Sequence, residues 1–244
     1  MEPETPTGLV VDELWRYPVK SMGGERLAEV AVDALGMEGD RRWGIVDAET
    51  GRVLTGRRAP ALLMARAQHL GPGEVAITLP DGTTTTSDDD LSDWLGRRVA
   101  LVPSESASPQ FEVPNPDEED WQAYDTAEAA WHDSPRARLS LVSRTTVDDW
   151  DPRRFRSNVL LAGGGEDDLV GAILGLGTAT LEVSKPISRC VMVTRPQPGI
   201  DADRSVLKAI LRDREGTLAV GALVMAPGTL TEGAPLRLLA APDV

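Results

Sequence analysis

Apolar and polar positions alternate along this chain in short runs, and turn-forming residues separate the runs. "GLVVDELWRYPV" reads as a first strand. "ERLAEVAVDALG" alternates through Leu27, Val30 and Val32 before a glycine turn. "RRWGIVDAETGRVLT" is the clearest hairpin, with β-prone runs on either side of Asp47–Gly51. "EVAITLPDGTTTTS" predicts a second hairpin, turning at Pro80-Asp81-Gly82. "DDDLSDWLGRRVAL" opens as a short helix, capped by Asp88–Asp90, with Leu91, Trp94 and Leu95 on one face. Gly96 stops it, and Val99–Val102 returns to strand. Later in the chain "ARLSLVS", "SNVLLAG" and "GTATLEVS" read as strands. A helix over Ala202–Arg214 then buries Val206, Leu207, Ile210 and Leu211, and strands follow around Ala219–Met225 and Leu236–Leu239.

Many short strands and few helices predict a mainly β (α+β) chain of barrel-like domains rather than a doubly wound sheet. Residues 1–7 read as a flexible lead. Residues 104–120, rich in Pro, Ser and acids, read as a linker or exposed loop, and the run Asp117–Asp120 as solvated. The expected units are therefore residues 8–103 and 121–242.

Charge narrows the function. The chain of 244 residues carries a formal charge of −14, which argues against nonspecific binding to nucleic acid or anionic lipid. No basic-then-apolar leader and no bilayer-length apolar run is present, so the expectation is a soluble cytoplasmic protein. Arginine greatly outnumbers lysine, as in a GC-rich bacterial genome. A single cysteine allows no intrachain disulfide. Phosphate-loop and nucleophile-elbow motifs are absent, and "LAGGGEDD" reads as a turn. The two histidines, His69 and His132, lie far apart in sequence, which makes a closed zinc site an unsuitable reading. His69 reads as part of a surface turn.

Four segments carry candidate chemistry. In "LWRYPVKSMGGE", Pro18 ends the strand, and Lys20 and Ser21 precede Gly23-Gly24. A cation, a hydroxyl and free amides in one turn suit an oxyanion, although an ordinary Gly-Gly turn with an exposed lysine fits equally. "GDRRW" places Asp40 and Arg41 at the start of a strand. In "RRFRSN", Arg156 and Asn158 stand two apart, so a strand would turn both to one side as a polar platform. In "KPISRCVMVT", alternation puts Ser188, Cys190, Met192 and Thr194 on one side, and Arg189, Val191 and Val193 on the other. Arg189 and Cys190 can share a pocket only if the backbone bends or bulges near Pro186–Ser188; otherwise Arg189 serves the fold. Cys190 is then either a small buried hydrophobe or a thiolate favoured by nearby arginine, the form that binds soft metals.

Taken in order, "LWRYPVKSMGGE", "GDRRW", "RRFRSN", "KPISRC" and a closing "GTLTEGAPLRL" resemble the MOSC proteins that carry a MOSC N-terminal β-barrel domain, from about residue 8 to residue 240. The resemblance implies an N-terminal β-barrel domain packed on a C-terminal MOSC β-barrel domain, and it implies binding of the molybdenum cofactor (Mo-molybdopterin). Cys190 would ligate molybdenum and be the catalytic ligand. Lys20, Ser21 and Arg41 would contact phosphate and pterin, and Arg156, Asn158, Ser188 and Arg189 would line the same pocket. "HDSP" would bring Asp133 and Ser134 to it. Pyridoxal phosphate binding is implied at family level only, with no residue assigned.

The nearest functional relatives resemble the mitochondrial amidoxime-reducing component and its bacterial counterparts. That likeness implies reduction of N-hydroxylated compounds with electrons from a ferredoxin- or cytochrome-like partner. A non-catalytic cofactor carrier and a sulfur carrier are the alternatives. Three departures from the family pattern stand out. Ile187 replaces a second cysteine, Ala222 and Leu223 replace a polar pair after Gly221, and "GGGEDDLVGAILGLG" is rearranged.

Overall fold

The computed structural model describes residues 8–106, 110–114, 121–125 and 130–242. The acidic run 117–120 and the lead 1–7 lie outside the described residues. The fold is mostly β, as the alternation predicts. Its principal sheet has eight strands in the order Leu236–Ala240, Ile173–Leu176, Ala179–Ser188, Thr217–Ala226, Leu139–Ser143, Val159–Ala162, Val10–Arg16, Glu25–Leu27. The neighbours pair antiparallel, except for the parallel pair Leu139–Ser143 and Val159–Ala162. The sheet curls on itself. Val11 N donates to Ala234 O at 2.9 Å, and Leu236 N donates to Leu9 O at 2.8 Å, which joins the Leu236–Ala240 end to the start of Val10–Arg16. Inside lie Leu14, Leu141, Val159, Leu174, Leu181, Val183 and Val220, all fully buried. Each such side chain contributes about 1.5–3 kcal/mol by leaving water.

The N-terminal strand Val10–Arg16 belongs to this sheet, and Glu29–Asp33 pairs with Gly228–Thr231 near the C-terminus. The first segment of the chain is thus woven into strands from its end. A second core around Met22, Ile45, Leu62, Ile77 and Leu91 sits under the ladder of Trp43–Asp47 with Val99–Pro103 and the three-stranded sheet Arg66–Gly71, Glu74–Thr78, Thr84–Thr85. The turn at residues 80–82 forms as predicted, with Leu79 N and Thr83 O bonded at 2.8 Å. Helix Asp88–Leu95 is capped by the Ser87 hydroxyl rather than by the aspartates, and it ends on left-handed Gly96.

Several readings change. The arm after Asp47–Gly51 does fold back, with Asp47 N donating to Arg52 O at 2.9 Å and Leu54 N to Ile45 O at 2.7 Å, but the ladder partner of Trp43–Asp47 is Val99–Pro103. Val53 instead donates to Gln110 O at 3.0 Å. Gln110–Pro114, inside the segment expected to be a linker, pairs antiparallel with Trp121–Asp125 just beyond it. His69 lies within strand Arg66–Gly71 rather than a surface turn. Helix Arg204–Asp213 buries Val206 and Ile210, but Leu211 is 58% exposed and rests over Gly216. That helix, Leu160, Leu218 and Val193 form a third core next to the segment that carries Cys190.

Candidate functional site

Strand Ala179–Ser188 loses register with its partner between Pro186 and Ser188, so the backbone bulges before Cys190 as the parity argument requires. Beyond it the expected strand does not continue. Val191–Thr194 is one turn of 3₁₀ helix with Cys190 at its N-cap. Alternation therefore fails past residue 190, where Val193 is buried while Val191 is 39% exposed. Arg189 turns inward. Its Nε donates to Leu218 O at 2.7 Å and its Nη1 to Phe155 O at 2.8 Å. Arg154 reaches Val193 O at 3.4 Å and Asp201 O at 2.6 Å, which pins the turn that follows Cys190. Cys190 is partly exposed and faces a pocket, so it is not the buried hydrophobe.

That pocket has a volume of about 300 Å³. All ten residues expected at the site line it: Lys20, Ser21, Arg41, Asp133, Ser134, Arg156, Asn158, Ser188, Arg189 and Cys190. The geometry that brings them together differs from the strand picture. Arg156 sits on no strand. It follows the 3₁₀ turn Pro152–Phe155 in a left-handed conformation (φ 52°), and Asn158 precedes strand Val159–Ala162. Arg41 is also left-handed (φ 52°), as is Ser21 (φ 68°). Non-glycine residues held there carry backbone strain, which clusters at functional sites.

Several of these side chains are already engaged by the protein. Asn158 accepts from Ser140 N at 3.2 Å and Arg41 Nη1 at 3.4 Å, and donates to Trp15 O at 3.2 Å. Its amide ties three segments together and supports Arg41. The Ser21 hydroxyl accepts from Gly56 N at 2.9 Å. In the Gly-Gly turn, the amides of Lys20, Met22 and Gly23 bond the carbonyls of Trp43, Val19 and Ala65, so they do not form an open anion cradle. Lys20 is buried rather than exposed. Its ammonium donates to Trp131 O at 2.8 Å and Asp133 Oδ1 at 2.7 Å. Burial lowers the Lys20 pKa, and Asp133 offsets this. Partial desolvation would raise the Asp133 carboxyl, but Lys20 and Arg57 outweigh it and hold the group well below the usual range.

Arg41 is fixed by Asp40, which is fully buried and also accepts from Tyr17 N at 2.7 Å. Tyr17 lies between the guanidinium groups of Arg41 and Arg156, at 5.4 and 4.4 Å from its ring centre. Burial pushes the Tyr17 hydroxyl up to about 12. Burial, with Arg41 next, brings Arg156 down to about 10, still a cation at neutral pH. His132 Nε2 donates to Leu35 O at 3.1 Å, and burial pushes its pKa down to about 3. It is neutral.

Sequence reasoning missed Thr55, Arg57, Arg138, Arg154 and Lys185, which also line the pocket. The arginine-dense strings "TGRRAP", "RAR" and "RRFR" were the available signal. Arg57 matters most. Its guanidinium stands 3.9 Å from Asp133, and it lines the pocket together with Cys190. In all, eight cations (Lys20, Arg41, Arg57, Arg138, Arg154, Arg156, Lys185 and Arg189) and one carboxylate, Asp133, surround the cavity. Buried Thr55 Oγ1, Arg57 Nη1 and Arg189 Nη2 have no protein partner. Unfilled donors and crowded cations fit an anionic prosthetic group. Among the described residues, no group of three or more His, Cys, Asp or Glu could hold a metal ion alone. A metal here would come within such a group and take Cys190 as its protein sulfur donor. Ala222 is fully buried in the barrel core, and neither it nor Leu223 reaches the pocket. No helix among the described residues is long and apolar enough to cross a membrane.

Family models match at residues 8–110, the MOSC N-terminal beta barrel domain, and at residues 120–237, the MOSC domain. No curated protein matches. Among solved structures, the YUAD protein from Bacillus subtilis is 12% identical over 93% of each chain, with a TM-score of 0.46. YiiM from Geobacillus stearothermophilus is 23% identical over 42% of this chain and 54% of that chain, with a TM-score of 0.36. YiiM from Escherichia coli is 22% identical over 46% and 59%, with a TM-score of 0.37. The chain thus spans about half the length of the Geobacillus protein.

Proposed function

The chain belongs to the MOSC family, and from that premise we propose that it binds the molybdenum cofactor at Cys190 and reduces N–O bonds of small N-hydroxylated compounds. MOSC domains are associated with families that bind this cofactor. One observation carries the reading: eight cations gather around the only thiol in a protein of net charge −14. Such a concentration of like charge disfavours the empty state and favours an anion of several charges.

Cys190 would hold the metal. Lys20, Arg41 and Arg156 would take the phosphate and pterin, with Asp40 and Tyr17 keeping the two arginines aimed. Arg189 anchors the bulge through backbone carbonyls, and its remaining nitrogen, Nη2, is buried without a protein partner. Asn158 and Ser21 act mainly by holding Arg41 and Gly56 in place. When bound, the cofactor supplies two-electron oxygen-atom abstraction. The protein supplies binding, charge and orientation. Met192, which lines the pocket, packs against Gly56, where an added Cβ would fall 2.8 Å from Met192 Cε. Electrons would come from a separate ferredoxin- or cytochrome-like protein.

The position of Ala222 and Leu223 outside the pocket favours one other reading, a carrier that keeps the cofactor without turnover. The test is elemental analysis of protein from a cofactor-producing host, followed by reduced viologen with benzamidoxime. We expect stoichiometric molybdenum, lost in Cys190→Ser, and formation of benzamidine. Molybdenum without benzamidine supports the carrier. Wild-type protein without molybdenum refutes both.

A further inference from the structure

The segment Leu54–Ala59 crosses from the second core to the mouth of the Cys190 pocket, and its shape is fixed from three sides. Gly56 N donates to the Ser21 hydroxyl at 2.9 Å, Gly56 packs on Met192, and Thr55 O accepts from Arg58 N at 3.0 Å and Ala59 N at 2.8 Å. Thr55 is only 3% exposed and lines the pocket, yet its hydroxyl has no partner. Two residues on, Arg57 lines the same pocket as Cys190, stands 3.9 Å from Asp133 and keeps Nη1 buried and unbonded. Arg189 Nη2, from the residue before Cys190, is a third such donor. Buried donors are rarely left unsatisfied, and these come from two distant segments that line one pocket with Cys190.

We propose that Thr55, Arg57 and Arg189 form an oxygen-binding subsite beside Cys190, which receives the negatively polarised oxygen of an N-hydroxylated substrate or of a small free oxyanion. Charged and hydroxyl donors fixed before the ligand arrives need no reorganisation, which is the arrangement that binds such an oxygen most effectively. The inference deepens the proposed reading of the pocket but does not need the cofactor.

The test uses metal-free protein and the rate at which N-ethylmaleimide alkylates Cys190, read by intact mass. The chain has one cysteine, so the adduct is unambiguous. Sulfate and benzamidoxime are tried separately as protectants, and each rate is compared with the unprotected rate of the same variant. At least one should slow wild-type alkylation about fivefold at saturation. Sulfate alone assigns a free oxyanion, benzamidoxime alone a substrate oxygen, and either supports the subsite. Thr55→Val and Arg57→Gln should each raise the half-protecting concentration about tenfold, with Arg57→Lys intermediate. Unchanged thermal unfolding confirms folded variants, and Thr55→Ser should restore protection if Thr55→Val unfolds. Absence of protection in the wild type overturns the subsite. So does wild-type protection in either Thr55→Val or Arg57→Gln. Molybdenum content is not involved, so failure here leaves the cofactor reading to its own test.

Discussion

Acidification from pH 7 to pH 5 should cost this protein about 2 kcal/mol of stability through His132 alone. The imidazole is 3% exposed and hydrogen-bonded at Leu35 O, and its pKa falls from 6.5 to about 3. Burial is the main cause and the Arg41 charge adds to it, while Asp40 and the Leu35 carbonyl oppose them. Between those two values the unfolded chain binds a proton that the folded protein refuses. Stability from this group is therefore complete above the unfolded value of 6.5 and is lost as the pH falls toward 3. The limiting slope is about 1.4 kcal/mol per pH unit, which gives the roughly 2 kcal/mol quoted for this interval. Urea unfolding at pH 7 and pH 5, for wild type and His132→Gln, measures it. Glutamine can still donate to Leu35 O but cannot titrate, and the double difference cancels the many carboxylates. Equal acid losses in the two proteins would refute the assignment. Trp131 and Asp133, on either side of His132, are the residues that hold Lys20.

Tyr17→Leu should destabilise by about 2–4 kcal/mol, through two lost cation–π contacts and lost packing. Tyr17→Phe should stay within about 1 kcal/mol, because the hydroxyl reaches Ser157 O only at 3.5 Å. Equal losses by urea unfolding would move the effect to the hydroxyl. Gly24→Ala should cost more than about 3 kcal/mol, since its Cβ would lie 2.1 Å from Arg16 O and 2.7 Å from the Tyr17 ring. A variant with the wild-type melting temperature would show that this approach can relax cheaply.

The parts of the molecule legible in sequence were those set by local physics. Period-two alternation placed Glu29–Asp33 and Ala179–Ser188, because one face of each is buried whatever it pairs with. Turn chemistry placed residues 80–82 and the Gly96 stop, because φ preference belongs to the residue. The side parity of Arg189 and Cys190 showed that a bulge was needed for both to face one pocket. Local rules did not reveal which strand lies next to which, so the weaving of Val10–Arg16 among C-terminal strands emerged only in three dimensions. Nor could they show which donors the protein had already used. Asn158 and Ser21 looked available to a ligand but serve the fold, whereas Thr55 and Arg57, marked only by the arginine-dense string "TGRRAP", are carried to the pocket of Cys190 by a loop 133 residues away in sequence. Whether a polar group is spent or free depends on every neighbour within about 3 Å, and that is decided by long-range packing rather than by sequence neighbours.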